Sequence, residues 1–439
     1  MSPPNRATPD TLLTQARAAT AAGDVDTAEI RYTRLAQTRP GHMEALQFLA
    51  ERAMRRGQHD TATHWIQAAL QARPDHAASW HRLAAVQMNR GDLEAAAASL
   101  RRALAQQPDL FVARLRLGMV LERLQDAPAA LVAYFGAVTE AQSRGLWRDD
   151  TSTPPGMRRA VKQAMAFIDR GRRQLFDAAL EPLRQRHGTG PLERVEACLA
   201  IHLGERPARF PDPRQRPRFL YFPDLSCHPF HDQACFPAHR DLEAAAGDIS
   251  EELGHILHQD GGDDTLEPFY GTGQDTRGLL DAEPGRAPAW DAFFFHRHGT
   301  RHDARCRRCP RTATMLERLD LVRIRDHAPE ILFSVLRPGT HILPHRGVTN
   351  TRLVTHLPLI IPDHCALRVG GELHRWQEGR CVTFDDTFEH EAWNRGARTR
   401  AVLILDTWHP DLTAIEREAV HDLVVTIGGF NRACKQATI

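Results

Sequence analysis

The 439-residue sequence lacks any apolar run close to the roughly 20 residues that a helix needs to cross a bilayer. It also lacks a charge imbalance, because 56 Lys and Arg stand against 55 Asp and Glu and leave a formal net charge of +1. Balanced charge, with Arg scattered among acidic residues, argues against nucleic acid as a partner. The opening MSPPNRATPD has no apolar core behind a basic end, as a secretory signal would. We therefore expect a cytoplasmic protein without a membrane span.

Cysteine is sparse, and in a cytosolic protein the eight cysteines are expected to be reduced thiols rather than a disulfide framework. Two short stretches, CHPFHDQAC and CRRC, could together supply a structural zinc site. The candidate ligands are Cys227, His228, His231, Cys235, Cys306 and Cys309. The CxxC spacing is typical of zinc ligands, whereas the spacing in the first stretch is unusual for a paired set. The alternative is that these are buried or surface thiols near loops.

A 34-residue repeat fills the first third of the chain. The recurring residues are Gly23, Gly57 and Gly91; Pro40, Pro74 and Pro108; and Ala28, Ala62, Ala96 and Ala130. This period, with a small residue between two helices and a proline after the second, is the tetratricopeptide signature. Glycine permits the left-handed turn between helices, and proline cannot continue a helix. We predict an all-α solenoid of three units and a degenerate fourth over residues 9–142. Its concave face would bind a protein partner, unless the solenoid only dimerises the protein or braces the next domain.

Residues 143–216 change in character and separate the repeats from the remainder of the chain. WRDDTSTPPGM breaks the repeat, a helical pattern follows, and GERPARFPDPRQRP then packs four prolines into 14 residues. We interpret this region as a helical connector and a proline-rich linker. From residue 217 to 439, one helix over 241–257 is followed by short apolar strands between Pro, Gly and Asp turns. That pattern predicts a second domain built as an antiparallel sandwich or barrel.

Histidines in the strand-rich region suggest a metal site. The stretch HILPHRGVTNTRLVTHL contains His345, and His390 follows 45 residues later in FDDTFEHEAWN. A non-haem iron site typically uses two histidines and one carboxylate on one face, yet the expected carboxylate position is Gly347. Asp386 would reach a metal only if the DDTFEH segment turned sharply. From spacing alone, the two histidines are either metal ligands or satisfied side chains at a barrel rim.

Three longer segments occur in order in this region and carry a family resemblance. SVLRPGTHILPHRGVTNTRLVTHLPLIIP, WQEGRCVTFDDTFEHEAWN and RTRAVLILDTWHPDLT resemble the aspartyl/asparaginyl β-hydroxylases, from about residue 217 to about residue 420. The resemblance implies an Fe(II)- and 2-oxoglutarate-dependent dioxygenase on a double-stranded β-helix, a cupin-like jelly roll with flanking helices. The enzyme would use O2 to hydroxylate the β-carbon of an aspartyl or asparaginyl group in a peptide, protein, carrier-bound or free amino acid. The family places glycine where the third iron ligand would stand, as this chain does.

Carried onto this sequence residue by residue, the resemblance assigns His345 and His390 as the iron ligands at the catalytic centre. Arg400 matches the arginine that pairs with the far carboxylate of 2-oxoglutarate, a role that suits a planar guanidinium. Ser334 matches a hydroxyl that supports the same carboxylate. These three kinds of side chain would together hold the metal and its cosubstrate.

The resemblance also assigns roles to two further residues. His356 matches a histidine near the cosubstrate's other end, and Arg352 matches one of two neighbouring arginines. The second arginine is Val354 here, and this departure leaves the substrate open. The alternatives are a related oxygenase acting on a lipid or secondary metabolite, and a non-catalytic adaptor based on the repeats.

Overall fold

The computed structural model describes residues 8–258, 266–271 and 275–436, which divide into two compact units. The first unit comprises the described residues up to Gln174 together with those from Gly429 onward. The second unit is Leu175–Gly428. The domain limits at residues 142 and 216 remain predictions from the sequence. Within the described ranges, no helix combines the length and the apolar character needed to cross a membrane.

The first unit contains the predicted helical repeats, packed as successive pairs of helices. The eight repeat helices are α1 (Pro9–Ala21), α2 (Val25–Thr38), α3 (Met43–Arg55), α4 (His59–Ala72), α5 (Ala77–Arg90), α6 (Leu93–Gln106), α7 (Phe111–Arg123) and α8 (Ala127–Ser143). The turns within the first three pairs contain Gly23, Gly57 and Gly91, at φ of 73°, 69° and 84°. In the degenerate fourth pair, Gln125 adopts a φ of 62° in place of glycine. The repeated alanines are all buried between the helices, so the pattern predicted from the sequence is confirmed.

The remaining helices are α9 (Arg158–His187), α10 (Glu193–His202), α11 (His239–Ala244), α12 (Ala246–His258), α13 (Asp303–Arg308), α14 (Pro310–Glu317) and α15 (Ala414–Gln436). The strands are β1 (Phe230–His231), β2 (Glu267–Pro268), β3 (Leu280–Ala282), β4 (Trp290–Arg297), β5 (Thr300–Arg301), β6 (Ile331–Leu336), β7 (Thr340–His345), β8 (Arg352–Ile360), β9 (Cys365–Val369), β10 (Glu372–His374), β11 (Val382–Phe384), β12 (His390–Asn394) and β13 (Arg400–Trp408). The helix expected over residues 241–257 is thus present as two, α11 and α12.

The described strands form two antiparallel sheets, so the sheet-rich second domain is confirmed. The larger sheet has the order β1-β11-β8-β13-β6-β4-β2, with β5 paired to β4. The smaller sheet has the order β10-β9-β12-β7-β3. The order is not sequential, because β8 and β13 pair although they lie far apart in the chain. The pairing of β8 with β13 thus places residues that are distant in the sequence next to each other in the sheet.

Side chains along a strand point alternately to the two faces of the sheet. This alternation decides which residues of β6 and β13 face each of two apolar clusters. Phe333 and Val335 of β6 and Leu403 of β13 pack into a cluster with α12 and α14 on one face of the larger sheet. Neighbouring residues along the same strands must point to the other face, since strand side chains alternate. Ser334 and Arg400 therefore lie on the face opposite the helices, where a second cluster contains side chains from both sheets.

Candidate active site

A cavity of about 160 Å³ is lined by strands of both sheets. Its lining residues are Phe269, Trp290, Glu330, Leu332, Ser334, Ile342, His345, Arg352, Val354, His356, Leu367, Phe384, Asp386, His390, Ala392, Arg400, Ile404 and Asp406. All six residues that the sequence resemblance singled out are among them. A pocket with mainly apolar walls and a few convergent polar groups is typical of a small-molecule site.

His345 and His390 lie side by side because their strands pair with these two residues directly opposite. Their ring centroids are 4.1 Å apart. The Nδ1 atom of His345 lies 2.8 Å from the carbonyl of Leu343, and that of His390 lies 3.1 Å from the carbonyl of Phe388. Since a carbonyl only accepts, each Nδ1 carries the proton and each Nε2 keeps its lone pair. Such a backbone bond commonly fixes the tautomer of a metal-binding histidine.

Both imidazoles are held in the neutral form. Burial lowers the pKa of His390 to about 3, and the neighbouring His345 contributes to the same shift. Burial also lowers the pKa of His345. Neutral imidazole nitrogens are the form that binds a metal ion. The pair therefore fits a divalent metal at neutral pH without first losing protons.

The space beside the histidine pair is occupied by Asp386 rather than by a side chain at position 347. A Cβ added to Gly347 would overlap the Asp386 carboxylate, and the Gly347 N–H donates to the Asp386 carbonyl at 2.6 Å. The Oδ1 atom of Asp386 is buried without a hydrogen-bond partner, and burial raises the pKa of this carboxyl to about 7. Within the described residues, no group of three or more His, Cys, Asp and Glu side chains is placed to hold a metal.

At the other end of the cavity lies a buried cluster of hydrogen-bond donors around Arg400. Its Nη1 donates to the Ser334 hydroxyl oxygen at 3.2 Å, its guanidinium lies 4.6 Å from the Trp376 ring centroid, and its Nε has no partner. Burial lowers the pKa of Arg400 to about 10, which still leaves it protonated at neutral pH. Among the described side chains, no carboxylate influences the charge of Arg400 or forms an ion pair with it. A buried cation without a counter-ion is costly, so this end fits a bound carboxylate.

His356 adds a neutral, buried imidazole between the two ends. Its Nδ1 has no partner, and its ring centroid lies 5.0 Å from that of Phe384. Burial, helped by the nearby Arg400, lowers its pKa well below the ordinary value. The side chain is therefore available as an uncharged donor or acceptor for a ligand in the cavity.

Arg352 differs from Arg400 because acidic side chains already surround it. It forms ion pairs with Asp406 and, at 3.5 Å, with Asp386. Burial alone would lower the pKa of Arg352, but the negative charges of Asp406 and Asp386 outweigh it and raise this pKa. Val354 lines the same cavity two residues further along β8, so no second guanidinium reaches the cavity from this strand.

Comparisons with known protein families match a segment of each unit. Residues 243–410 match the family model described as aspartyl/asparaginyl β-hydroxylase, and residues 19–86 match a tetratricopeptide repeat model. The sheet-rich part of this chain is similar to the aspartyl/asparaginyl β-hydroxylases. The matched segment contains all six site residues named from the sequence.

Proteins named for aspartyl/asparaginyl or aspartate β-hydroxylase match this chain over only part of their own length. The human aspartyl/asparaginyl β-hydroxylase is 39% identical over 132 residues, which are 30% of this chain and 17% of the relative. The aspartate β-hydroxylase domain-containing protein 2 of Xenopus tropicalis is 39% identical over 215 residues, or 48% of this chain and 55% of the relative. This chain thus spans about half or less of these relatives. A mutant Thermobaculum terrenum O-GlcNAc transferase structure is 27% identical, covering 32% of this chain and 28% of its own, with a TM-score of 0.28 that supports no argument.

The structure does not assemble the zinc site considered from the sequence. Cys306 and Cys309 are buried in the apolar cluster beneath the helices, whereas Cys227 packs against the other cluster. Burial raises the pKa of the Cys309 thiol to about 12, which disfavours a thiolate ligand. The CxxC spacing here comes from the short helix α13 entering the core. The hypothesis of a joint site was therefore wrong.

In the sheet-rich unit, sequence reasoning set the cavity residue Asp386 aside and did not consider Asp406. Asp386 enters the cavity because Asp385 accepts hydrogen bonds from the backbone and hydroxyl of Thr387, at 2.9 and 2.6 Å, which turns the segment. Aspartate followed two residues later by threonine was the available signal for that turn. Asp406 was not considered, although an acid in the middle of an apolar strand requires a buried partner.

Proposed function

We propose that the domain is an Fe(II)- and 2-oxoglutarate-dependent dioxygenase. Its reaction would hydroxylate the β-carbon of an aspartyl or asparaginyl residue, in a peptide or protein or as a carrier-bound or free amino acid. The observation that carries the proposal is one cavity holding two neutral imidazoles at one end and a buried guanidinium without an acidic partner at the other. The family match supports the same chemistry.

We also infer that the two sheets form a double-stranded β-helix. The support for this is the cavity enclosed by strands of both sheets and the direct pairing of the strands that carry His345 and His390. In such a fold, the metal ligands stand on neighbouring strands although they are distant in sequence. The flanking helices α12 and α14 cover the outer face of the larger sheet.

At the metal end, His345 and His390 would bind iron through their Nε2 atoms. The backbone carbonyls that accept from Nδ1 hold both rings in that tautomer. Asp386 stands in the space beside Gly347, where its unpartnered oxygen can accept a hydrogen bond from water or a ligand. When bound, iron, O2 and 2-oxoglutarate would supply the oxidation that places oxygen on an unactivated carbon.

At the opposite end, Arg400 and Ser334 would hold the far carboxylate of 2-oxoglutarate. A guanidinium with an unpartnered N–H and an adjacent hydroxyl provides donors and a positive charge in a buried site. His356 would contact the cosubstrate between its two ends. The apolar walls exclude water, which strengthens each of these polar contacts.

A second candidate function differs from the first in the substrate that is oxidised. Val354 lines the cavity where a related sequence would carry an arginine, and Arg352 is already paired with acids. These observations favour, as the runner-up, the same oxygenase chemistry on a less polar molecule such as a lipid or a secondary metabolite. The repeats of the first unit support a protein partner or a protein substrate bound at their concave face.

The test is turnover of 2-oxoglutarate by the purified chain reconstituted anaerobically with Fe(II) and then exposed to O2. Aspartyl and asparaginyl peptides, free amino acids and lipids are offered separately, and mass spectrometry records succinate and the gain of one oxygen atom on each candidate. His390→Ala is expected to abolish both signals. His364→Asn is the control, since His364 is exposed and its φ of 67° is one that asparagine tolerates. Absence of succinate with every candidate, or equal succinate from His390→Ala, would contradict the proposal.

A further inference from the structure

The Ser334 hydroxyl accepts two hydrogen bonds inside the cavity wall. The indole Nε1 of Trp290 donates to its oxygen at 2.9 Å, and Nη1 of Arg400 donates at 3.2 Å. Indole and guanidinium N–H groups are donors only, and a hydroxyl has two acceptor lone pairs and one hydrogen to donate. Both lone pairs of Ser334 are therefore occupied, and its own hydrogen must point elsewhere.

No described residue accepts the Ser334 hydrogen. Ser334 is fully buried, so the missing acceptor is costly unless a ligand supplies it. The cavity that Ser334 lines is the available place for such an acceptor. The hydroxyl and Arg400 thus present donors toward one bound anion.

We propose that Trp290 is a positioning residue for the cosubstrate, because its N–H fixes the direction in which the Ser334 hydroxyl donates. This inference rests on the proposed function, in which the acceptor is the far carboxylate of 2-oxoglutarate. The indole N–H of Trp290 and the guanidinium of Arg400 use both lone pairs of the Ser334 oxygen. The hydroxyl hydrogen is therefore held in one direction. Without the indole N–H, the hydroxyl can rotate, and the ordered donation to the carboxylate is lost.

The position of the Trp290 side chain is fixed by its strand and by two neighbouring aromatic rings. β4 pairs with β6 so that Ala292 stands opposite Ser334, which places Trp290 diagonally across from the serine. The Trp290 ring stacks on Phe269 with centroids 3.8 Å apart and an interplanar angle of 6°. Tyr270 contacts the same ring edge-on, at 5.5 Å. The indole therefore cannot swing freely away from Ser334.

A double-mutant cycle tests the inference through 2-oxoglutarate binding. Trp290→Phe keeps a phenyl ring for the stack on Phe269 and removes the N–H donor together with the five-membered part of the indole. Calorimetry with Fe(II) under anaerobic conditions is expected to show about 3- to 10-fold weaker binding of 2-oxoglutarate, the effect of one neutral hydrogen bond. In the Ser334→Ala background, the same change is expected to add less than about twofold. In turnover assays, the KM for 2-oxoglutarate is expected to rise while kcat at saturation changes little.

Trp408→Phe is the matched control, since Trp408 is equally buried but faces Arg417 in a different cavity. It is expected to leave 2-oxoglutarate binding unchanged. Equal effects of Trp290→Phe and Trp408→Phe, or fully multiplicative effects of Trp290→Phe and Ser334→Ala, would overturn the inference while leaving the proposed function intact. Failure of the wild-type protein to bind 2-oxoglutarate would instead overturn the proposed function and this inference with it.

A second measurement does not depend on the folding of Trp290→Phe. The chain has seven tryptophans, and ¹⁵N labelling of their indoles gives one N–H signal for each. Ser334→Ala removes the acceptor of one indole, so one signal is expected to move upfield, and 2-oxoglutarate is expected to shift that same signal in the wild type. An unchanged indole spectrum in Ser334→Ala would overturn the inference.

Discussion

Substitution of Gly347 by alanine tests whether the space for a third metal ligand is truly taken by Asp386. The added Cβ would overlap the Asp386 carboxylate well inside van der Waals contact. Gly347 does not have a positive φ, so the expected cost comes from this overlap and not from backbone strain. Overpacking a well-filled interior costs about 1–3 kcal/mol. We expect Gly347→Ala to lower the free energy of unfolding by about 2 kcal/mol.

The assay is thermal unfolding followed by circular dichroism on the metal-free chain. A loss of about 2 kcal/mol corresponds to a decrease in the unfolding midpoint of about 4–8 °C for a unit of this size. In an Asp386→Ala background the added methyl group has room, so Gly347→Ala is expected to cost less than about 0.5 kcal/mol there. Equal destabilisation in both backgrounds, or none in either, would refute the steric argument.

Three further predictions follow from the cavity. Arg400→Ala is expected to weaken 2-oxoglutarate binding about 10- to 100-fold, because a charge-assisted contact is lost. Calorimetry measures this binding, and an unchanged affinity would contradict the prediction. The burial-lowered pKa of His390, about 3 against about 6.5 when unfolded, means that the folded state binds fewer protons in this window. The metal-free wild type should therefore lose stability relative to His390→Gln as the pH falls from about 6.5 towards 3, and parallel urea-unfolding curves across that range would contradict this. Val354→Arg adds a guanidinium to the cavity and is expected to favour aspartyl over asparaginyl peptides about 10-fold in competition assays read by mass spectrometry.

The helical repeats were predictable because their signal is local. The glycine, alanine and proline positions of one repeat lie within a single pair of helices, and each has a steric role that depends on near neighbours. The fourth pair was recognisable although Gln125 replaces glycine, since Ala130 kept its place at the helix contact. Local periodicity therefore defined the first unit without any knowledge of its tertiary packing.

The candidate site depended more on strand pairing, which the sequence does not reveal. The sequence resemblance named six of the cavity residues, but it could not show that Arg352 is paired with Asp406 across β8 and β13. Trp290 lies 44 residues before Ser334, and only the register of β4 on β6 brings them together. The proposed zinc ligands failed for the same reason, since the two halves of the set fold into separate clusters.

The most direct test of the central claim is a calorimetric titration of Fe(II) into the full chain under anaerobic conditions, with and without 2-oxoglutarate. We predict about one iron bound per chain, tighter binding when 2-oxoglutarate is present, and loss of binding in the His345→Ala, His390→Ala double variant. Iron binding that is absent in the wild type, or unchanged in the double variant, would contradict this prediction.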